Sequence, residues 1–476
     1  MKGLFTGIGI VLLQLPGWSQ TSQQAKIDSV FKLMVTAFNA KNVDAIYALG
    51  GEAFHKELPP DKFREVSEKN LFPLGSISEY TLEKYADGLS KYKAVFPVGP
   101  LTVLMSLDQK DKIQTYLFQQ YQPELPEKDG KIAGNNPMRT ALDSLVDQAA
   151  QVYLKQGPTV GLSIGVLKDG KTTFYGYGET AKGNAQLPDQ NTIFEIGSIS
   201  KTFTAILLAD AVNSGKIKLD DPVSKYLPDS IPKLQFNNIP VTIASLSNHS
   251  SGIPRMPDNM RPDLDTDSNP YAKYDDKRLY SFYKHYTLTR KVGDDYEYSN
   301  LAVGTLGVIL EKINGKPYEK LLVEKICDPL DMHDTREYIR TGDSTRFAKG
   351  YTESGKYNPP WDFKALMAAG GIRSTAKDML KYAAANLGVA PPALKKDILL
   401  THNITFTKNS QKVALGWHYI KPGTDEILFH NGGTGGYRSF LGINLQKNFA
   451  VVILSNCAIG VETVGGTLVK GLESRP

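Results

Sequence analysis

The 476-residue sequence contains only two cysteines, Cys327 and Cys457. Both sit among apolar neighbours, so the expectation is two buried free thiols and no disulfide scaffold. Histidine is scarce too. The seven are scattered and no HExxH pair occurs, so neither a metal site nor a cofactor is expected. Charge of one sign is also missing. Lys and Arg total 55 against 50 Asp and Glu, with no long basic run or basic helical stripe, which argues against nucleic acid as a partner. Past the N-terminus no apolar run is long enough to span a bilayer; the stretch 301–310 stops at Glu311.

At the start of the chain Lys2 precedes an apolar run over 4–15, then Pro16-Gly17-Trp18-Ser19-Gln20. Small residues at 17 and 19 predict a secretory signal, residues 1–19, cleaved before Gln20. The run is short for a membrane anchor and no cysteine stands ready for lipidation, so no stable membrane insertion is expected and the mature chain is expected to be periplasmic or secreted. At 41% hydrophobic and 22% charged residues the remainder is globular, and its length predicts more than one core. Residues 20–124 read as a small α+β domain. Ile27, Val30, Phe31, Leu33, Met34 and Phe38 recur at helical spacing, short helices are expected at 42–49 and 60–69, and four strand-like stretches fill 80–121. Residues 125–137 are polar, with prolines and glycines, and read as a linker. The second domain, 138–476, opens with a helix to about 155 and a hairpin, 161–167 and 171–176. Helices dominate the middle, broken by a Pro/Asp-rich loop at 254–274. Strands return at 415–420, 426–431, 438–445 and 449–454, before a last helix at 462–472. The sheet is therefore expected to draw on both ends of the domain, with a helical lobe inserted between them.

Three stretches carry candidate chemistry. In Phe194-Glu195-Ile196-Gly197-Ser198-Ile199-Ser200-Lys201, a helix is expected from Ser198 to Asn213. That places a hydroxyl at the positive end of the helix dipole and a lysine one turn on, on the same face. A lysine held in a water-poor cleft has a lowered pKa and can take the serine's proton. In Tyr296-Glu297-Tyr298-Ser299-Asn300, extended backbone would turn Tyr298 and Asn300 the same way, a phenol to share a proton and an amide to hold a carbonyl, with Asn300 also a candidate helix cap. In Phe429-His430-Asn431-Gly432-Gly433, on a late strand, the glycines allow close approach to the strand backbone. Gly161-Leu162-Ser163-Ile164-Gly165 fits a G-x-S-x-G elbow, but the strand runs on through Val166, so Ser163 is expected to be structural. Glu195 and His249 are expected to be buried hydrogen-bonding residues.

In this order the three stretches resemble the serine β-lactamase and penicillin-binding protein superfamily, most of all its class C-like branch, whose second motif is Tyr-x-Asn. The stretches 215–223, 248–254 and 370–376 also look like this family, and the resemblance covers about residues 138–475. It implies an α/β transpeptidase-like fold, an antiparallel sheet flanked by helices plus an inserted helical lobe. It also implies an acylated Ser198, general-base duty shared by Lys201 and Tyr298, and substrate contacts from Asn300, His430, Asn431 and Gly432. The oxyanion hole would be the backbone N–H groups of Ser198 and Gly433. The sequence departs from class C enzymes at His430, where they have lysine; a mostly neutral imidazole attracts a substrate carboxylate less. By element order, residues 20–124 resemble the NTF2-like accessory domains, a possible route to a dimer. The expected activity is hydrolysis of an amide or ester, foremost of D-amino-acid peptides related to peptidoglycan. The alternatives are a β-lactamase or esterase with the same machinery, and a penicillin-binding sensor that stays acylated.

Overall fold

A computed structural model describes residues 20–97, 99–121, 128–260 and 268–474. The expected signal segment, residues 122–127 at the start of the expected linker and the end of the domain before it, and part of the Pro/Asp-rich loop (261–267) lie outside the described residues. The chain forms two compact units that part between Glu124 and Leu125.

The first unit is helices followed by sheet. Helix Gln20–Asn39 buries Ile27, Phe31, Met34 and Phe38, spaced for a single face. Leu33, counted into that pattern from sequence, falls off the stripe and is exposed. Helices Val43–Ala48, Glu52–Glu57 and Pro60–Val66 follow; the second of these, one and a half turns long, has no sequence pattern to announce it. Strands Glu79–Ala86, Leu89–Phe96, Gly99–Leu107 and Ile113–Gln120 form an antiparallel meander. Alternate residues Tyr92, Ala94 and Phe96 face the helix, and Phe31 stacks on Tyr92 with ring centroids 3.7 Å apart.

The second unit is an eight-stranded antiparallel sheet with helices on both faces. Strand 449–455 lies beside strand 161–168, so the two ends of the unit meet side by side within the sheet, one strand in from the edge strand 171–178. Leu162, Ile164 and Val166 face the helices Ala141–Leu154 and Glu462–Glu473. On the opposite face Gly165 leaves room for Leu380 of helix Ala376–Asn386, whose Cγ would lie 2.9 Å from an added Cβ. Ser163 sits within this strand and donates to the carbonyl of Asp189 at 2.9 Å.

The first helix starts at Ala141, not 138, because Thr140 and Asp143 close a capping box. The segment before it is no free linker. Gly178 N–H donates to the Ala133 carbonyl and Asn135 N–H to the Gly176 carbonyl, both along edge strand 171–178, and the Gln151 side chain clasps both backbone groups of Ile132 at 2.9 Å. Its polar residues, read as a solvated linker, cover a sheet edge. Helix Ser200–Asn213 is buried on nearly every side, not only along the expected stripe. Its threonines therefore find internal partners: Tyr382 donates to Thr202 Oγ1 at 2.9 Å, and Thr204 donates to the Ala368 carbonyl at 2.7 Å. Among the described residues no helix is long and apolar enough to cross a membrane.

Candidate active site

The site begins where strand Ile193–Glu195, paired with Arg373–Thr375, meets helix Ser200–Asn213. The α-helix starts two residues later than expected, and Ser198 occupies a 3-10 turn, Gly197–Ile199. Gly197 has φ +51°, and a Cβ on it would lie 2.5 Å from Gly433 N. A Cβ on Gly432 would lie 2.0 Å from the Ile196 carbonyl oxygen. Two glycines thus let the turn press against strand Ile427–Gly433, bringing the Ser198 and Gly433 amides into one neighbourhood. Ser439 fixes the contact by donating to the Ile196 carbonyl at 2.7 Å.

Lys201 is 1% exposed, and three oxygens surround its Nζ: Ser198 Oγ at 3.1 Å, Asn300 Oδ1 at 2.8 Å and the Ala369 carbonyl at 2.5 Å. Desolvation drives its pKa well below the usual lysine value, and the Arg255 guanidinium adds to the effect. A neutral amine has two N–H donors and one lone pair. The amide oxygen and the carbonyl can only accept, so they take both donors and leave the lone pair for the Ser198 hydroxyl.

Tyr298 and Asn300 converge on this amine. The Tyr298 ring centroid lies 4.8 Å from Lys201 Nζ, and burial pushes the phenol up to about 12, opposed by a hydrogen bond with Ser198 and by Arg255. Asn300 is the first residue of helix Asn300–Asn314 but not its cap. Ser299 is, accepting from Ala302 N–H at 2.9 Å while donating to the Pro254 carbonyl at 2.7 Å. The preceding loop supports the segment from below. His249, at φ +64°, accepts from Ser299 N–H at 3.2 Å and packs on Tyr298 with centroids 4.4 Å apart. The Arg255 carbonyl accepts from Asn300 N–H at 3.0 Å.

His430 is buried and its ring lies 6.4 Å from that of Tyr298. Its Nδ1 is 2.6 Å from the Asn431 carbonyl, which can only accept, so the proton sits on Nδ1. Desolvation, then His418 and Lys201, hold its pKa well below the ordinary histidine value. Asn431 does not join the cluster. Strand alternation turns it to the other face, where it donates to Glu462 Oε1 at 2.6 Å.

Sequence reasoning missed several participants. The Ala369 carbonyl, Arg255 and His418 had no assigned part, although the stretches 248–254 and 370–376 had been singled out. Arg255 lies just past the first of these and Ala369 just before the second, and their partners lie far along the chain. Gly416 is another: at φ +69° it shortens the expected strand 415–420 to His418–Ile420, and a Cβ there would lie 2.5 Å from the Lys201 carbonyl oxygen. Glu195 is buried as expected. It accepts from Trp361 N–H at 2.8 Å and lies 3.4 Å from Arg373, tying the strand before Ser198 to two other segments.

The Beta-lactamase family model matches residues 146–467, the span that holds every residue of this cluster. Among curated proteins, a beta-lactamase of Pseudomonas fluorescens is 27% identical over 67% of this chain and 94% of its own. The D-alanyl-D-alanine-carboxypeptidase/endopeptidase AmpH of Escherichia coli K12 is 28% identical over 65% and 83%. In fold the chain is similar to a crystal structure of a beta-lactamase/D-alanine carboxypeptidase from Pseudomonas syringae, with a TM-score of 0.61, 24% identity and coverage of 71% of this chain and 100% of that one. With well over half its length matched, the chain belongs to the beta-lactamase family and is a serine hydrolase.

Proposed function

We propose that the protein is an exported hydrolase that forms an acyl-enzyme on Ser198 and cleaves amides or esters, foremost D-amino-acid peptides related to peptidoglycan. The carrying observation is the Nζ of a buried Lys201, 3.1 Å from Ser198 Oγ and held as well by Asn300 Oδ1 and the Ala369 carbonyl. Ser198 Oγ bonds to the substrate carbonyl carbon as its proton passes to Lys201, and the Ser198 and Gly433 amides receive the developing oxyanion. The intermediate collapses, the C–N or C–O bond breaks, and the leaving group takes a proton by way of Tyr298. Water then attacks the ester, releasing the acid and restoring Ser198. Asn300 holds the acyl-side amide, and Gly432 lets the substrate lie along the strand.

The peptide reading is supported by the name of the Escherichia coli relative and by His430, which offers a neutral imidazole where a β-lactamase would offer a fixed charge. The Pseudomonas fluorescens relative supports β-lactam hydrolysis as the second reading. Residues 20–124, helices then an antiparallel sheet, are read as an NTF2-like accessory domain that pairs with a second copy. Export rests on the apolar run behind Lys2.

Ser198→Ala tests the reading. It should abolish turnover and covalent labelling by a fluorescent phosphonate or penicillin while the protein still folds. Ser163→Ala should label normally. An adduct on Ser163, or undiminished labelling of the Ser198→Ala protein, sinks the mechanism. Turnover of D-Ala peptides against β-lactams separates the two substrate readings.

A further inference from the structure

Arg255 stands out among the charged groups around the cluster. It is exposed, its Cζ lies 5.0 Å from the Tyr298 ring centroid, and among the described residues its guanidinium has no hydrogen-bond or ion-pair partner. Nearby Arg290, by contrast, is held by Glu297 at 3.0 Å. Other basic groups at the site are quenched. Lys201 and the imidazoles of His249, His418 and His430 are all driven toward their neutral forms by burial. A fixed, unpaired cation stacked on an aromatic face is oriented and ready to take an anion by a paired, planar contact. Its place is also defined, because its own carbonyl receives the Asn300 and Leu301 amides at 3.0 and 3.3 Å. The guanidinium therefore belongs to the Tyr298 and Asn300 side of the site.

We propose that Arg255 is a specificity-determining residue that reads a free carboxylate on the acyl portion of the substrate. This rests on the reading above, in which Asn300 marks the acyl side. The preferred substrates would then be acyl donors, peptides among them, that carry a negative charge on the portion retained by Ser198, and the leaving group need not be charged.

Two p-nitrophenyl esters test this, one with a glutaryl acyl group and one with its neutral carboxamide counterpart. In the full-length protein the glutaryl ester should have the higher kcat/KM by about 10-fold. The ratio should fall as salt is added. Arg255→Gln should bring the ratio close to one and remove its salt dependence, and Arg255→Lys should keep part of it. Any effect of Arg255 on Lys201 acts on both esters and cancels in the ratio. Equal turnover of the two esters by the wild type, or an unchanged ratio in Arg255→Gln, overturns the inference and leaves the acyl-enzyme reading standing. No turnover of either ester together with no labelling of Ser198 overturns both.

Discussion

A lysine amine buried among three oxygens could be an ammonium donating to all of them or an amine donating to two. The two states differ in what they do to Ser198. The ammonium would donate to the hydroxyl oxygen and leave the serine its proton; the amine accepts that proton. Burial favours the amine, because nothing near Lys201 carries a compensating negative charge among the described residues, and Arg255 adds a like charge. The rate of acylation should therefore rise with pH through the depressed Lys201 pKa and level off well below the ordinary lysine value. Tyr298, pushed up to about 12, keeps its proton across that range. Single-turnover acylation by a neutral ester measures this limb. Arg255→Gln should move it to higher pH, since losing a nearby cation favours the ammonium, and Lys201→Ala should slow acylation by about 10²–10⁴-fold. A limb unmoved by Arg255→Gln would show that the guanidinium does not act on Lys201. Both serine and lysine were legible in the sequence from their spacing. The third-motif asparagine was not correctly read, because a strand's alternation sends Asn431 away from the face that His430 and Gly432 share.

At the level of elements, the decisive contact is between the turn Gly197–Ile199 and the strand Ile427–Gly433. The two adjacent glycines of that strand are not equivalent. Gly432 faces backbone, with the Ile196 carbonyl oxygen 2.0 Å from an added Cβ. Gly433 faces a side chain that can move, with Arg438 Nη1 at 3.0 Å. Gly432→Ala should push the turn off the strand, costing about 1–3 kcal/mol of stability and most of the acylation rate. Gly433→Ala keeps its amide and should lose far less of either. Thermal unfolding and phosphonate labelling of the two variants measure the difference. Equal effects would mean that the turn is not seated by the close approach. The sequence announced a glycine pair at a strand end, but not which member meets backbone, because that depends on a segment more than 200 residues earlier.

Across the whole molecule, the polar stretch ahead of the second unit is the place where composition misled. Residues 132–136 satisfy the outer strand 171–178 and the helix Ala141–Leu154, so a chain cut at Met138 would leave those groups to water. A fragment beginning at Leu125 should fold without the first unit and melt at least ~2 °C above one beginning at Met138, given roughly 1 kcal/mol per hydrogen bond lost. Equal melting points would return the stretch to a mere linker, and an insoluble longer fragment would show that the second unit needs the first. By itself the sequence determined the order of elements, the apolar faces of the helices and sheet, and the identity of Ser198, Lys201, Tyr298 and Asn300 as a candidate set. The elements and faces follow from period, which is local, and the candidate set from the order of three motifs that resemble those of a family. Tertiary structure alone decided that Lys201 is buried deeply enough to favour the amine, that the Ala369 carbonyl and Asn300 Oδ1 lie against its Nζ, and that Arg255 has no partner among the described residues. Desolvation and pairing are sums over neighbours brought in from distant parts of the chain, and no local pattern records them.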